Sequence, residues 1–183
     1  MARYSTTKYA GQRAEKIVES VLRRYTDHIY TNVRVDTLFT QSGSTEIDVI
    51  AAVSDVLLVV EVKNVSSIEG SLQDSTWVLR GAEAGESYST LNVFTQNRIH
   101  VRSLKDAWFS RMFEFPVTLS VVVVPNGAYV SEELRCNGIL TVSEFNIQVA
   151  ELCADNQRQR YGYALDYLLS NSPEHLHRPD FGR

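Results

Sequence analysis

Cysteine, proline and positive charge are all scarce in this chain, which holds two cysteines and four prolines in 183 residues and a formal net charge of −4. Cys136 and Cys153 lie outside any C-x-x-C spacing, so a disulfide framework and a cysteine-built zinc site are both excluded and two reduced thiols are expected. No apolar run approaches the roughly 20 residues that a membrane-spanning helix requires. The run VTLSVVVV, residues 117–124, is short and β-branched and reads as a buried strand. With no secretory pattern at its start, the chain is expected to be soluble and cytoplasmic. A pI near 5.6 argues against a broadly basic coat for nucleic acid but leaves room for a local basic groove. Internal repeats, a phosphate-binding glycine loop and a nucleophile elbow are missing as well.

What is present is enough apolar material, 44% of the residues, for one domain with a helical appendage. Ala14, Ile17, Val18, Val21 and Leu22 recur at helical spacing and predict a helix from about Tyr9 to Arg24. Ile29 to Leu38 reads as a strand, and Asn64 to Gly85 as irregular chain with short strands near Ser66–Ile68 and Thr76–Leu79. Trp77 there reads as a core anchor. A second helix is expected from about Thr90 to Phe113, with Val93, Val101, Leu104, Trp108 and Met112 as its apolar stripe and Gln96 and His100 together on one flank. His100 has no second His or Cys at ligand spacing and reads as a helix-surface histidine. Val117 to Val124 and Gly138 to Val142 read as strands, followed by helices from Ser143, a plausible N-cap, and from Gln157. The tail is polar and reads as loose. Bases that could supply a groove are Lys8, Arg13, Lys16, Arg23 and Arg24 near the first helix and Arg98, Arg102 and Lys105 on the second.

The most informative stretch is TEIDVIAAVSDVLLVVEVKN, two apolar runs joined at Ser54-Asp55. A two-residue turn there matches Val53 with Val56, and counting outward sets Asp48 opposite Glu61. Alternation puts Lys63 on the same face, opposite Glu46, and sends Val60 and Val62 the other way. Opposed Cβ atoms lie about 5 Å apart, close enough for two carboxylates to share a hard cation at oxygen distances of roughly 2.1 Å. Charges in so apolar a strand are costly unless paired, and a divalent cation with a substrate phosphate would offset that cost. An isolated E-x-K at a strand end is more often a solvated salt bridge; the aligned Asp48 distinguishes this one.

The order Glu15, Asp48, Glu61-Val62-Lys63 resembles the PD-(D/E)xK nuclease superfamily and, in detail, its nuclease-related domain, the NERD family. GQRAEKIVESVL is similar to that family's opening helix, EIDVIAAVSDVLLVVEVKN to its core hairpin, Trp77 to the tryptophan after it, and NVFTQNRIHVRSL to its glutamine-bearing helix. The likeness covers roughly residues 8 to 150 and departs at Ala14, Val93 and Ser54-Asp55, none of them a chemical residue. It implies a restriction-endonuclease-like α/β core, a mixed central sheet of about five strands flanked by helices, within residues 1–155. Residues 156–183 would then form a helix and tail, packed on the core or appended to it.

The resemblance implies a metal-dependent nuclease, hydrolysing phosphodiester bonds of nucleic acid, DNA by preference. Glu15, Asp48, Glu61 and Lys63 would be catalytic, with Mg²⁺ or Mn²⁺ on Asp48, Glu61 and the Val62 carbonyl. Gln96, whose counterpart in the family belongs to the surroundings of the active site, would bind substrate with Lys16 and Arg98. On position alone Glu15 is an ordinary helix-flank acid; the resemblance makes it a site residue. A membrane partner is not expected; a homodimer or a DNA-processing partner protein is compatible with the chain. Two alternatives stay open: a non-cleaving module that binds nucleic acid or protein, and a subunit that cuts only with a partner.

Overall fold

The computed structural model describes residues 3–82, 86–109, 112, 114–155, 161–170 and 175–176, without the side chains of residues 3–10, 155, 170, 175 and 176. The chain opens with α1 (Arg3–Leu22), then runs through β1 (Ile29–Asp36), β2 (Ser44–Val53) and β3 (Val56–Val62). Next come β4 (Val65–Glu69), β5 (Thr76–Gly81), β6 (Ser87–Leu91), α2 (Val93–Phe109) and β7 (Val117–Val124). It closes with β8 (Tyr129–Val130), α3 (Glu132–Cys136), β9 (Ile139–Thr141), α4 (Val142–Asp155), α5 (Gly162–Ser170) and β10 (His175–Leu176).

Among the described residues the central sheet has the order β10-β1-β2-β3-β7-β9. Its body is a five-stranded mixed sheet, extended by the two-residue β10. β1, β2 and β3 form an antiparallel meander, and β3 pairs in parallel with β7, which pairs in parallel with β9. The β2–β3 turn lies at Ser54-Asp55, with Val53 opposite Val56. Ser54 takes a left-handed φ of 53°, as tight hairpin turns require, and its Oγ donates to the Leu152 carbonyl of α4 at 3.0 Å.

Because the central strands are apolar on both faces, each face can be covered. Ile50, Ala52, Leu57 and Val59 pack with Leu104 and Trp108 of α2 and with Leu165, Leu168 and Leu169 of α5. On the opposite face, Val49, Ala51, Leu58 and Val60 pack with Val18, Val21 and Leu22 of α1 and with Phe145 and Val149 of α4. Thus α5 is packed on the core. This is an α/β protein with a restriction-endonuclease-like core.

Several expectations from sequence are corrected. The short strands expected near Ser66–Ile68 and Thr76–Leu79 are present as β4 and β5, but β6 was not expected, and the three join β8 in a second sheet ordered β6-β5-β4-β8. Thr90 and Leu91 belong to β6, and α2 starts at Val93 because the Asn92 Oδ1 accepts the N–H groups of Phe94 (3.0 Å) and Thr95 (3.3 Å). Trp77 is a core residue, its indole buried against Phe94 and donating to the Ser71 carbonyl at 2.8 Å. Gly70 is required beside it, since a Cβ there would strike the indole. α4 is capped by Thr141 in place of Ser143: the Glu144 N–H donates to Thr141 Oγ1, and the Thr141 N–H donates to Glu144 Oε2. The short helix α3 was not anticipated. In the tail, His175 and Leu176 pair in parallel with Arg34 and Val35; residues 177–183 are outside the described ones, as are Gln157, Gly85 and Phe113.

Candidate active site

The β2–β3 ladder runs from Val53 opposite Val56 to Val49 opposite Val60. The next step in register is Asp48 and Glu61, where a side chain takes over from the backbone: the Val62 N–H donates to Asp48 Oδ2 at 2.7 Å. β3 meanwhile continues along β7, the Lys63 N–H donating to the Val123 carbonyl at 2.9 Å. By alternation, Asp48, Glu61 and Lys63 share the face on which α2 packs. The expected position of Lys63 opposite Glu46 is replaced by an ion pair with Glu61, Nζ to Oε1 at 2.5 Å; Glu46 is paired in register with Arg34 of β1.

Glu61 is only 2% exposed and is surrounded from α2. Gln96 Nε2 donates to its Oε1 at 2.8 Å, and Lys63 Nζ also donates to Gln96 Oε1 at 3.3 Å. His100, read from sequence as a surface residue, is 1% exposed, with its Nδ1 at 3.3 Å from Glu61 Oε2. That oxygen and that nitrogen have no hydrogen-bond partner among the described residues. Between Gln96 and His100, the Asn97 side chain donates to the carbonyls of Val121 (2.9 Å) and Val59 (3.3 Å), tying α2 to two neighbouring strands.

Glu15 approaches from α1. It is half-buried beside Asn32 and Glu46, and its charge raises the pKa of both Asp48 and Glu61. Asn32 is a site residue that sequence reasoning missed. It stands at the β1 position in register with Asp48, where the paired positions skip from Thr31–Val49 to Val33–Ile47, and its φ is +54° inside a strand. Asparagine tolerates that conformation far better than the β-branched residues around it. An Asn within IYTNVRVD is the faint signal that marks it.

The electrostatics are those of crowded acids. Burial, followed by the Glu61 charge, raises Asp48 to about 8. Burial raises Glu61 against the opposing pull of Lys63, and burial with the Glu46 charge raises Glu15. Burial works to lower Lys63, but Glu61 and Asp48 outweigh it and hold the ammonium above its ordinary value. Burial, then the Lys63 charge, lowers His100 to about 4, so it is neutral near pH 7.

Among the described residues no three His, Cys, Asp or Glu side chains form a ready-made metal cluster. The donor set still fits Mg²⁺ or Mn²⁺, which take one or two carboxylates and complete their shells with water and phosphate oxygens. Asp48 and Glu61 repel each other, and a buried Glu61 oxygen lacks a partner.

The proposed substrate bases are distributed unevenly. Lys16 is exposed in a cleft with Glu15, Thr31 and Asn32, and Arg98 is exposed on α2, donating to Thr95 Oγ1 at 3.3 Å. Arg13 lines a cleft of about 230 Å³ with Ile17, Val62, Asn64 and Val142, beside the acidic strand end. The others are engaged: Arg23 with Glu19, Arg24 with Asn146, Arg102 over the Phe39 ring and Lys105 over Phe109. The Lys8 side chain is outside the described ones. Cys136 and Cys153 are free, and no helix among the described residues is long and apolar enough to cross a membrane.

A five-stranded mixed sheet flanked by helices, with two acids and a lysine converging where β2 and β3 part, defines the class: an α/β protein of the PD-(D/E)xK-like nuclease superfamily. The chain belongs to the NERD, or nuclease-related domain, family, whose model matches residues 10–125. That match ends just after β7, short of the likeness to residue 150 drawn from sequence. Comparison with curated proteins gives no match, and comparison with solved structures gives none either.

Proposed function

We propose that this protein is a metal-dependent nuclease that hydrolyses phosphodiester bonds of DNA. The observation that carries the reading is the Asp48–Glu61 pair: a half-buried and a buried carboxylate, mutually repelling, beside Lys63, at a point where the backbone ladder gives way. Asp48 and Glu61, with the Val62 carbonyl, would hold Mg²⁺ or Mn²⁺. Such an ion, when bound, supplies Lewis acidity toward the scissile phosphate and the attacking water.

The chain's own residues do the rest. Lys63, kept protonated by Glu61 and Asp48, neutralises charge that develops on the phosphate. Its raised pKa supports this role over that of general base, which requires a depressed one. Gln96, bonded to both Glu61 and Lys63, orients them and can turn its amide to water or to a phosphate oxygen. Glu15 adds negative charge from α1 and orients water, while Lys16 and Arg98 bind flanking phosphates. Glu61→Gln is expected to abolish cleavage without unfolding the protein. The test is incubation of supercoiled plasmid and of a labelled single strand in Mn²⁺, Mg²⁺ or EDTA, beside folded Asp48→Ala and Lys63→Ala variants. Metal-dependent cutting abolished by Asp48→Ala and slowed at least about 100-fold by Lys63→Ala supports the reading; cutting at the wild-type rate in either variant sinks it.

A second reading, a subunit that cuts only with a partner, is favoured by one observation: Arg23, Arg24, Arg102 and Lys105 are engaged within the protein, and the net charge is −4. Direct binding through phosphates must weaken steeply with salt. A flat response would favour the partner.

A further inference from the structure

We propose that His100 is a positioning residue: its Nδ1–H donates to Glu61 Oε2 and fixes the orientation of the carboxylate that serves the site. The inference rests on the reading of Asp48 and Glu61 as a metal centre. Its geometry is independent of that reading.

His100 Nδ1 lies 3.3 Å from Glu61 Oε2, and both atoms are buried with no hydrogen-bond partner among the described residues. A neutral imidazole carries one N–H, on either nitrogen. With the proton on Nε2, the Nδ1 lone pair would face a carboxylate oxygen at close range, leaving both atoms unsatisfied. With the proton on Nδ1, a small rotation of the ring or the carboxylate turns the 3.3 Å contact into a hydrogen bond that satisfies both atoms, so the surroundings select that tautomer. The other Glu61 oxygen already receives Lys63 Nζ and Gln96 Nε2. Gln96 and His100 are four residues apart on α2, one turn of a single helix face. α2 therefore grips Glu61 by both oxygens, and Asn97 anchors the grip to the strands beneath. Without His100, Oε2 faces an unfilled buried space and the carboxylate is free to turn away from Asp48. Outer partners of this kind commonly set the affinity of a metal centre.

The experiment combines nitrogen NMR of the imidazole in metal-free protein with Mn²⁺ calorimetry on His100→Asn, His100→Gln and His100→Leu. Asn places its amide nitrogen near the Nδ1 position, whereas Gln places it near Nε2. The Nδ1–H tautomer is expected; an Nε2–H signal overturns the proposal. Mn²⁺ affinity should fall about 10- to 100-fold in the Leu and Gln variants and stay within about threefold of wild type in Asn. Equal losses in Asn and Gln, or an unchanged Leu variant, also overturn it. Thermal melts establish that each variant is folded. Absence of Mn²⁺ binding by the wild type overturns the metal-centre reading and with it the service of His100 to a metal, while the NMR signal separately decides the His100–Glu61 contact.

Discussion

At the residue scale, the site sets unlike environments side by side, and pH separates them. Folded Asp48 titrates near 8 against an ordinary 3.8, and folded His100 near 4 against 6.5. Between those lower limits and pH 6.5, folded Asp48 keeps a proton that the unfolded chain has released, so stability falls as pH rises. Over the same range the unfolded His100 binds a proton that the folded residue refuses, so stability rises with pH and the two effects oppose each other. Above 6.5 the histidine contribution is complete, and the metal-free protein should lose stability as pH climbs toward 8. Thermal melts in EDTA across that range test this, with Asp48→Asn expected to flatten the decline. Lys63→Ala should lower the cleavage rate about 10²- to 10³-fold, as removal of a charge-stabilising donor does elsewhere; single-turnover cleavage in Mn²⁺ checks it. Legibility also divides residue by residue. Asp48, Glu61 and Lys63 could be placed because a two-residue turn and strict alternation determine the register. His100 could not, because it lies beside Val93 and Leu104 on the buried face of α2 together with Asn97 and Ser103, and a lone histidine at the flank of an apolar stripe reads as a surface residue.

At the scale of elements, the capping box of α4 gives a clean measurement. Thr141→Ala removes the acceptor for the Glu144 N–H and should cost about 1 kcal/mol, a drop of roughly 2–4 °C in Tm for a chain of this size. Ser143→Ala should change little, and melts of the two variants side by side decide which residue caps the helix. The sequence holds the signal, T-V-S-E, but Thr141 also continues an apolar strand and was counted there. In the second sheet β4 and β5 were legible, but β6 was not, for a related reason. β6, Ser87–Leu91, is short, polar and mostly exposed, so it has no hydrophobic period to detect. The long apolar runs of β2, β3 and β7 gave themselves away, because only burial on both faces accounts for them.

At the scale of the whole molecule, the family match ends at residue 125, but the core extends well beyond it. Leu165, Leu168 and Leu169 of α5 are each at most 1% exposed, and full burial of one such side chain contributes about 1.5–3 kcal/mol. Three together approach the 5–15 kcal/mol that typically holds a domain folded. Residues 1–155 alone are therefore expected to fail as a stable domain, and circular dichroism melts of the truncated and full chains test it. His28 and Tyr30 add a polar clasp, both bonding to Asp166 of α5, at 2.8 and 2.9 Å. Gly162 permits that approach, since a Cβ there would collide with His28.

The Asn97 tether has a mechanical consequence. Because one side-chain amide holds the carbonyls of both Val59 and Val121, α2 cannot slide or lift without breaking two buried bonds. The acids, the lysine, the glutamine and the histidine ride together as a fixed anvil. Contacts between α1 and the sheet are mainly apolar, through Val18, Val21 and Leu22, and such contacts are not directional. On the nuclease reading proposed above, adjustment to a nucleic-acid strand is expected from the side of α1, with Glu15 as the travelling acid and Asp48 and Glu61 as the stationary ones.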